Sequence, residues 1–251
     1  HEATDPMTLR ELFEVSPLGC VGFFLLGGIF STMFGMTPVY GTEIGLTVPQ
    51  LAAMVAAIYT GGMLLQWPIG WVSDRMDRRV LILAVCAVGA AAGAAGALLS
   101  GSFYTLLVMA FLTGGVANPL YSLLLAHTND FLDHEDMAAA SGGLIFLNGI
   151  GAVGGPLIVG FAMQSLGAWS YWGFIGLLLG AVSLYAAYRM TVRPSVAVED
   201  TGAYAPLLPQ ATAVAYEAAA EYVIEAAEAA EAEADAEADA DPAPHPAPGA
   251  A

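Results

Sequence analysis

Hydrophobic and polar positions in this chain are sorted into long blocks rather than interleaved. Six apolar blocks stand out: Pro17–Tyr40, Gln50–Val72, Val80–Ser100, Phe103–Ala126, Met137–Met163 and Trp169–Met190. Each has the roughly 20 residues that a helix rising about 1.5 Å per residue needs to cross a hydrocarbon core. None carries Asp, Glu, Lys or Arg in its interior. Lipid offers no hydrogen bonds to a bare backbone, so such blocks must be helices; the even alternation of a membrane barrel is absent. The pattern predicts an all-α polytopic membrane bundle of six transmembrane helices, with glycine and proline tolerated inside them as bilayer bundles allow.

The polar stretches between the blocks set the orientation. Arg10 precedes the first span, Arg75, Arg78 and Arg79 lie between the second and third, and Arg189 and Arg193 follow the sixth. With six spans these three clusters fall on one side, which the positive-inside rule makes cytoplasmic, along with both termini. The other side has only the short links Gly41–Pro49, Gly101–Ser102 and Gln164–Ala168. Before the first span, Thr8-Leu9-Arg10-Glu11 fits a capping box and suggests a short surface helix over Leu9 to Val15, with an ordinary polar linker as the equal alternative. The chain thus reads as a lead-in over residues 1–16, a membrane body over 17–190 and a tail over 191–251.

Composition changes the picture in one respect. Hydrophobic residues make up 57% and charged residues 12% of the chain, about half the charged fraction of a soluble domain. The formal charge of −17 describes the tail: 12 of the 23 acidic residues follow Val198, leaving 11 in the body against six arginines. Bulk acidity is therefore no guide to the body's partners. Pro194 to Gln210 reads as a linker. Ala213 to Asp241 is nearly all Ala, Glu and Asp and reads as a solvated, partly helical and otherwise disordered acidic tail, and Pro242 to Ala251 as disordered. Cys20 and Cys86 sit inside apolar blocks as small buried hydrophobes, with no disulfide expected.

Two further patterns concern the body. Thr37-Pro38-Val39-Tyr40 in the first span is echoed by Asn118-Pro119-Leu120-Tyr121 in the fourth. Three spans reverse chain direction, so the echo predicts two inverted three-helix repeats. The fifth span carries Gly142, Gly151, Gly155, Pro156 and Gly160, a helix-packing or hinge pattern that lets neighbours approach closely. His127, Asp130 and His134 would share one helical face and could hold a metal, but an ordinary polar loop over 127–136 is the better reading, so no metal is expected. No phosphate loop, zinc helix or nucleophile–base pairing appears, and no enzyme is expected.

The stretch Gly70-Trp71-Val72-Ser73-Asp74-Arg75-Met76-Asp77-Arg78-Arg79 resembles the loop motif of the Major Facilitator Superfamily, G-x-L-A-D-R-x-G-R-R/K. It matches at Gly70, Asp74, Arg75, Arg78 and Arg79 and departs at Val72, Ser73 and Asp77. The fifth-span pattern resembles the glycine–proline motif of that family's antiporters, with Val159 in place of one glycine. Over about Leu9 to Arg193 the chain looks like one half, the C-terminal half, of a twelve-helix transporter, and so like a fragment. The resemblance implies alternating access, with two six-helix halves rocking about a central site. It also implies that Asp74 meets the positive end of a helix in the opposite half and holds one of the two states, with Arg75 and Arg78 completing the charge cluster.

Carried over the same way, the cavity would be lined by Thr37, Tyr40, Asn118 and Tyr121, and secondarily by Gln66 and Asn148. Each of these serves equally well as an interhelical hydrogen bond. Glu43, just past the first span, is the candidate proton site, against the alternative of a solvated loop acid. The implied partners are the lipid bilayer, a missing N-terminal six-helix half or a second copy of the chain, and a small-molecule substrate, proton-coupled if Glu43 serves; no nucleic acid and no cofactor is expected. The implied location is a bacterial plasma (inner) membrane. The expected function is secondary active transport of a small solute, neutral or amphipathic rather than strongly charged, because the spans lack an interior ionisable group. The competing class is a complete six-helix scaffold or signalling protein acting through its acidic tail.

Overall fold

A computed structural model of the chain describes residues 7–132 and 136–192. The chain divides into two compact units, His1–Ala211 and Thr212–Ala251. The second unit, and with it the expected linker, helical tract and disordered end of the tail, lies outside the described residues.

The described elements are all helical. The lead-in is α1 (Leu9–Val15), closed at its N-terminus by the capping box that its sequence predicts, with Thr8 Oγ1 accepting from the Glu11 amide and Glu11 accepting in return. Ser16 then caps α2 (Pro17–Phe30), which passes through a π-helical segment (Ser31–Met36) into α3 (Thr37–Glu43). There follow α4 (Val48–Ser73), α5 (Arg78–Leu98), α6 (Phe103–Asn129), α7 (Met137–Leu166) and α8 (Trp169–Val192). Taking α2 through α3 as one, six helices are long and apolar enough to cross a membrane.

Several ends differ from expectation. The first span runs on to Glu43, and α4 starts at Val48 behind a second capping box, Thr47 with Gln50. The fourth span runs on to Asn129, which corrects the reading of residues 127–136 as a polar loop: His127 and Thr128 are buried in the last turn of α6. Thr128 Oγ1 donates to the Leu124 carbonyl and meets Ser16 Oγ at 3.2 Å, so its polarity is absorbed inside the helix and against α2.

The packing has an internal symmetry. The major helix contacts pair α2 with α7, α4 with α6, and α5 with α8. Exchanging the first three spans for the last three, in order, turns the first pairing into the second and leaves the third unchanged. Glycine makes both crossings close. A Cβ on Gly151 would lie 1.8 Å from the Phe24 carbonyl oxygen and one on Gly27 1.9 Å from that of Asn148. In the α4–α6 crossing a Cβ on Gly61 would lie 1.9 Å from the Phe111 carbonyl oxygen, and one on Gly114 2.2 Å from that of Ile58. Backbone cannot yield to such a contact, so only glycine permits helix axes this close.

Gly27 is the eleventh residue of the first span and Gly114 the twelfth of the fourth, so these glycines occupy corresponding depths. Thr37 and Asn118 are the twenty-first and sixteenth residues of the same spans, and the tetrapeptides they open are out of register. The repeat is carried by the glycine crossings rather than by the Thr-Pro and Asn-Pro echoes.

Candidate functional site

The loop between α4 and α5 is built from both of its helices. Gly70 and Ser73 are buried in the last turn of α4, and Asp74 is its C-cap. Asp77 is the N-cap of α5, accepting the Arg79 amide at 2.9 Å. Its carboxylate also takes Arg79 Nη2 at 3.1 Å and Arg79 Nε at 3.3 Å. Partial burial alone would raise the Asp77 pKa; the Arg79 hydrogen bonds and charge outweigh it and hold the carboxyl below its ordinary value.

Arg78 is the centre of the cluster. Its side chain is 2% exposed, and it is ion-paired with Asp130, itself 4% exposed, from the end of α6. It also donates from Nη1 to the Ala126 carbonyl at 3.3 Å and from Nε to Ser73 Oγ at 3.2 Å. On its open side lies Asp74, 42% exposed, with Oδ1 3.8 Å from Nη2. Arg75 turns outward, donating to the Trp71 carbonyl at 2.9 Å with its guanidinium 4.1 Å from the centre of the Trp71 ring. Ser73 and Asp77, two of the positions that depart from the family loop pattern, are thus the residues that grip Arg78 and Arg79. Asp130 was invisible as a partner in the sequence, where 52 residues separate it from Arg78. Its signals were an acid soon after an apolar span and a place on the His127, Asp130 and His134 face.

The cavity candidates do not converge on one point. Thr37 and Tyr40 belong to a buried group at the far end: Thr37 Oγ1 bonds the Met33 carbonyl and meets Tyr171 Oη at 2.6 Å, and the Tyr40 ring stacks on Tyr171 at 4.5 Å. Asn118 is buried, donating to the Gly114 carbonyl at 3.0 Å, with its amide pressed against Gly62 of α4. Asn148 donates across the α2–α7 crossing to the Phe23 carbonyl at 3.0 Å, and Gln66 is half-buried on α4. Glu43 is exposed at the end of α3. In α7, Gly151 and Gly155 make the close contacts with α2, Pro156 follows them in the helix interior, a Cβ on Gly160 would meet only Met36 at 3.5 Å, and one on Gly142 would meet nothing.

Tyr121 joins a ladder of rings that no sequence spacing announced. Phe23 and Tyr121 lie 4.9 Å apart, Tyr121 and Phe30 6.5 Å, Phe30 and Phe34 5.9 Å, and Phe34 and Tyr59 5.1 Å. It runs from buried α2 and α6 to the exposed Tyr59 of α4. Phe34 sits in the π-helical segment, where the extra residue per turn re-aims side chains. Among the described residues no group of three or more His, Cys, Asp or Glu is placed to hold a metal; of the His127, Asp130 and His134 face, His134 lies outside them.

Six apolar helices joined by short links, a buried arginine under one loop and paired glycine crossings define an integral membrane protein of the inverted-repeat, helical-bundle class. The model of the Major Facilitator Superfamily matches residues 18–221, and the chain belongs to that family. Among its relatives, the uncharacterized MFS-type transporter YfkF of Bacillus subtilis is 26% identical over 192 residues, covering 73% of this chain and 48% of that protein. The uncharacterized MFS-type transporter YcaD of Escherichia coli is 25% identical over 165 residues, covering 66% of this chain and 42% of its own length. A solved auto-inhibited peptide transporter of the POT family has the same fold at a TM-score of 0.59 and 18% identity, over 72% of this chain and 38% of that one. The chain therefore spans about half the length of the curated relatives it matches.

Proposed function

We propose that this six-helix bundle is one of two rocking bodies in a secondary transporter, moving a small solute across a bacterial inner membrane by alternating access, with its arginine-rich end in the cytoplasm. The observation that carries the proposal is Arg78, buried under the α4–α5 loop between a buried acid and an exposed one. A buried guanidinium stripped of its partner would be strongly destabilising, by about 3–5 kcal/mol. With Asp130 as its buried partner, Arg78 stays ion-paired in this reading when Asp74 moves toward the positive end of a helix in the other body. A carboxylate gains about 0.3–1 kcal/mol there, and more when partly buried. Asp74 stands instead at the C-terminus of its own helix, the unfavourable end for an anion. Such a latch exchanges the contacts of Asp74 at the loop for contacts with the other body while its anchor stays fixed.

The ring ladder favours a neutral or amphipathic solute. Its part-exposed members Phe34 and Tyr59 offer apolar faces and one hydroxyl, and charged side chains of the described spans stand only near helix ends. Asn118, Asn148 and Thr37 act in this reading as interhelical bonds that fix the walls, and Tyr121 and Gln66 remain the lining candidates. Proton coupling, if present, falls to Glu43 or to the other body. The test is uptake of a neutral amphipathic fluorescent dye into proteoliposomes holding the intact transporter. Asp74→Asn is expected to slow uptake about tenfold or more while leaving insertion and yield unchanged, since it removes a contact on the order of 1–2 kcal/mol. Unchanged uptake would refute the latch.

A further inference from the structure

The lead-in helix α1 is seated on the bundle by one side only. Leu12 is 1% exposed, and a Cβ on Gly143 of α7 would lie 2.7 Å from Leu12 Cδ2 and 3.6 Å from Leu9 Cδ2. Ser16, at φ −134° and ψ 77°, ends α1 and caps α2, so the two are separate helices joined by one residue. With Leu9 and Leu12 both at Gly143, α1 lies beside the first turns of α7 instead of prolonging the first span. That contact fixes its level. Gly143 is the seventh residue of a 30-residue helix, and about 20 residues cross a hydrocarbon core, so the first turns of α7 stand at the headgroup level. The exposed Trp71 and Tyr188, near the ends of α4 and α8, mark the same level as an aromatic belt. Around α1 the side chains separate by chemistry. At about 100° per residue, Leu9, Leu12 and Phe13 fall in one arc and Arg10, Glu11 and Glu14 in the opposite one. Arg10 and Glu14 pair at 3.0 Å with side chains 89% and 65% exposed. Leu12 is taken up by α7, but Leu9 and Phe13, one turn apart, remain 43% and 48% exposed.

We infer that α1 is a membrane-surface helix whose Leu9 and Phe13 insert into the boundary between headgroups and acyl chains, in the leaflet at the arginine-rich end. The partner is the apolar part of the lipid and not a charged headgroup. One arginine against two glutamates leaves α1 net acidic, and these side chains stand in water, so anionic lipid adds nothing to the contact. A helix of seven residues does not hold in water by itself. The capping box and the seat of Leu12 on Gly143 keep α1 formed, and lipid covers the apolar surface that α7 leaves open. The resting place of α1 depends on neither the latch nor the solute.

The test is the collision of a nitroxide on α1 with oxygen, which concentrates in acyl chains, and with a nickel chelate, which stays in water. The intact transporter is reconstituted in liposomes with its native cysteines, Cys20 and Cys86 among them, changed to alanine. A single labelled cysteine is then placed by Leu9→Cys, Phe13→Cys, Glu11→Cys or Glu14→Cys. The ratio of oxygen to nickel collisions is expected to be several-fold higher at positions 9 and 13 than at 11 and 14, and to hold when phosphatidylglycerol replaces phosphatidylcholine. Equal, water-like ratios at all four positions would overturn the inference. So would shielding of positions 9 and 13 from both reagents, which would mean that protein covers them. A second measurement leaves the native cysteines in place. A benzophenone side chain substituted for Phe13 and photolysed in the same liposomes should attach to lipid, and attachment to protein alone would overturn the inference.

Discussion

The two ends of the bundle are held by different forces. At the arginine end every ion pair among the described residues is found: Arg78 with Asp130 and Asp74, Arg79 with Asp77, and Arg10 with Glu14. At the other end a neutral group closes the structure, with Thr37 bonded to Tyr171 and the rings of Tyr40, Tyr171 and Trp172 packed within 4.5–6.0 Å. Charges act over distance and can change partners, whereas stacked rings must be broken as a unit. The contrast says where a contact can be switched: the arginine end holds exchangeable pairs, and the aromatic end is a fixed seam between the first and last spans.

Arg78→Met should sharpen that contrast most. It takes the arginine charge away from buried Asp130, and the expected loss is about 3–5 kcal/mol in a denaturant titration of the solubilised protein. Adding Asp130→Leu should recover most of it, because an apolar pair of similar volume removes the stranded charge. Between the ends, Gly151→Ala pushes a methyl group into the Phe24 carbonyl and is expected to cost about 1–3 kcal/mol. Gly142→Ala, where a Cβ meets nothing, should instead be neutral or stabilise by about 0.5–1 kcal/mol. Equal effects at the two glycines would mean that the α2–α7 crossing is not what joins the ends.

At the aromatic end, Tyr171→Phe removes the hydroxyl that meets Thr37 and keeps the ring. The same titration should show about 0.5–1.5 kcal/mol lost, and a loss as large as that of Arg78→Met would erase the difference between the ends. Asp77→Asn is expected to be smallest, under about 1 kcal/mol, since asparagine still caps α5. Its diagnostic is pH. The Asp77 pKa is lowered in the folded protein, so its contribution is in place above the unfolded value near 4 and is lost as pH falls through the lower folded value. The gap between wild type and Asp77→Asn should therefore close below about pH 4.

The six spans could be read from the sequence because lipid demands a long uninterrupted block and nothing else in the chain supplies one. Their ends could not, since His127 and Thr128 look like loop residues until the bonds from Thr128 to Leu124 and Ser16 are known. Arg78 was recognisable as part of a charged loop, but its depth, and its pairing with Asp130, depend on how α6 lies beside α5. The fifth-span glycines carried a visible pattern; their partner Gly27, and Gly61 and Gly114 of the α4–α6 crossing, sit in glycine-rich helices where spacing alone does not mark a crossing. The π-helical turn over Ser31–Met36 and the ring ladder through it left no periodic trace, because each depends on a local extra residue per turn and on contacts between separate helices.

The central claim is that Asp74 latches the arginine end while Arg78 and Asp130 stay fixed. Gln66, half-buried on α4 two turns before the loop, offers a reporter when replaced by cysteine with Cys20 and Cys86 changed to alanine. In the intact transporter, a membrane-impermeant maleimide applied from the arginine side should label that cysteine several-fold faster when Asp74→Asn is also present. Labelling at the same rate with and without Asp74→Asn would contradict the latch.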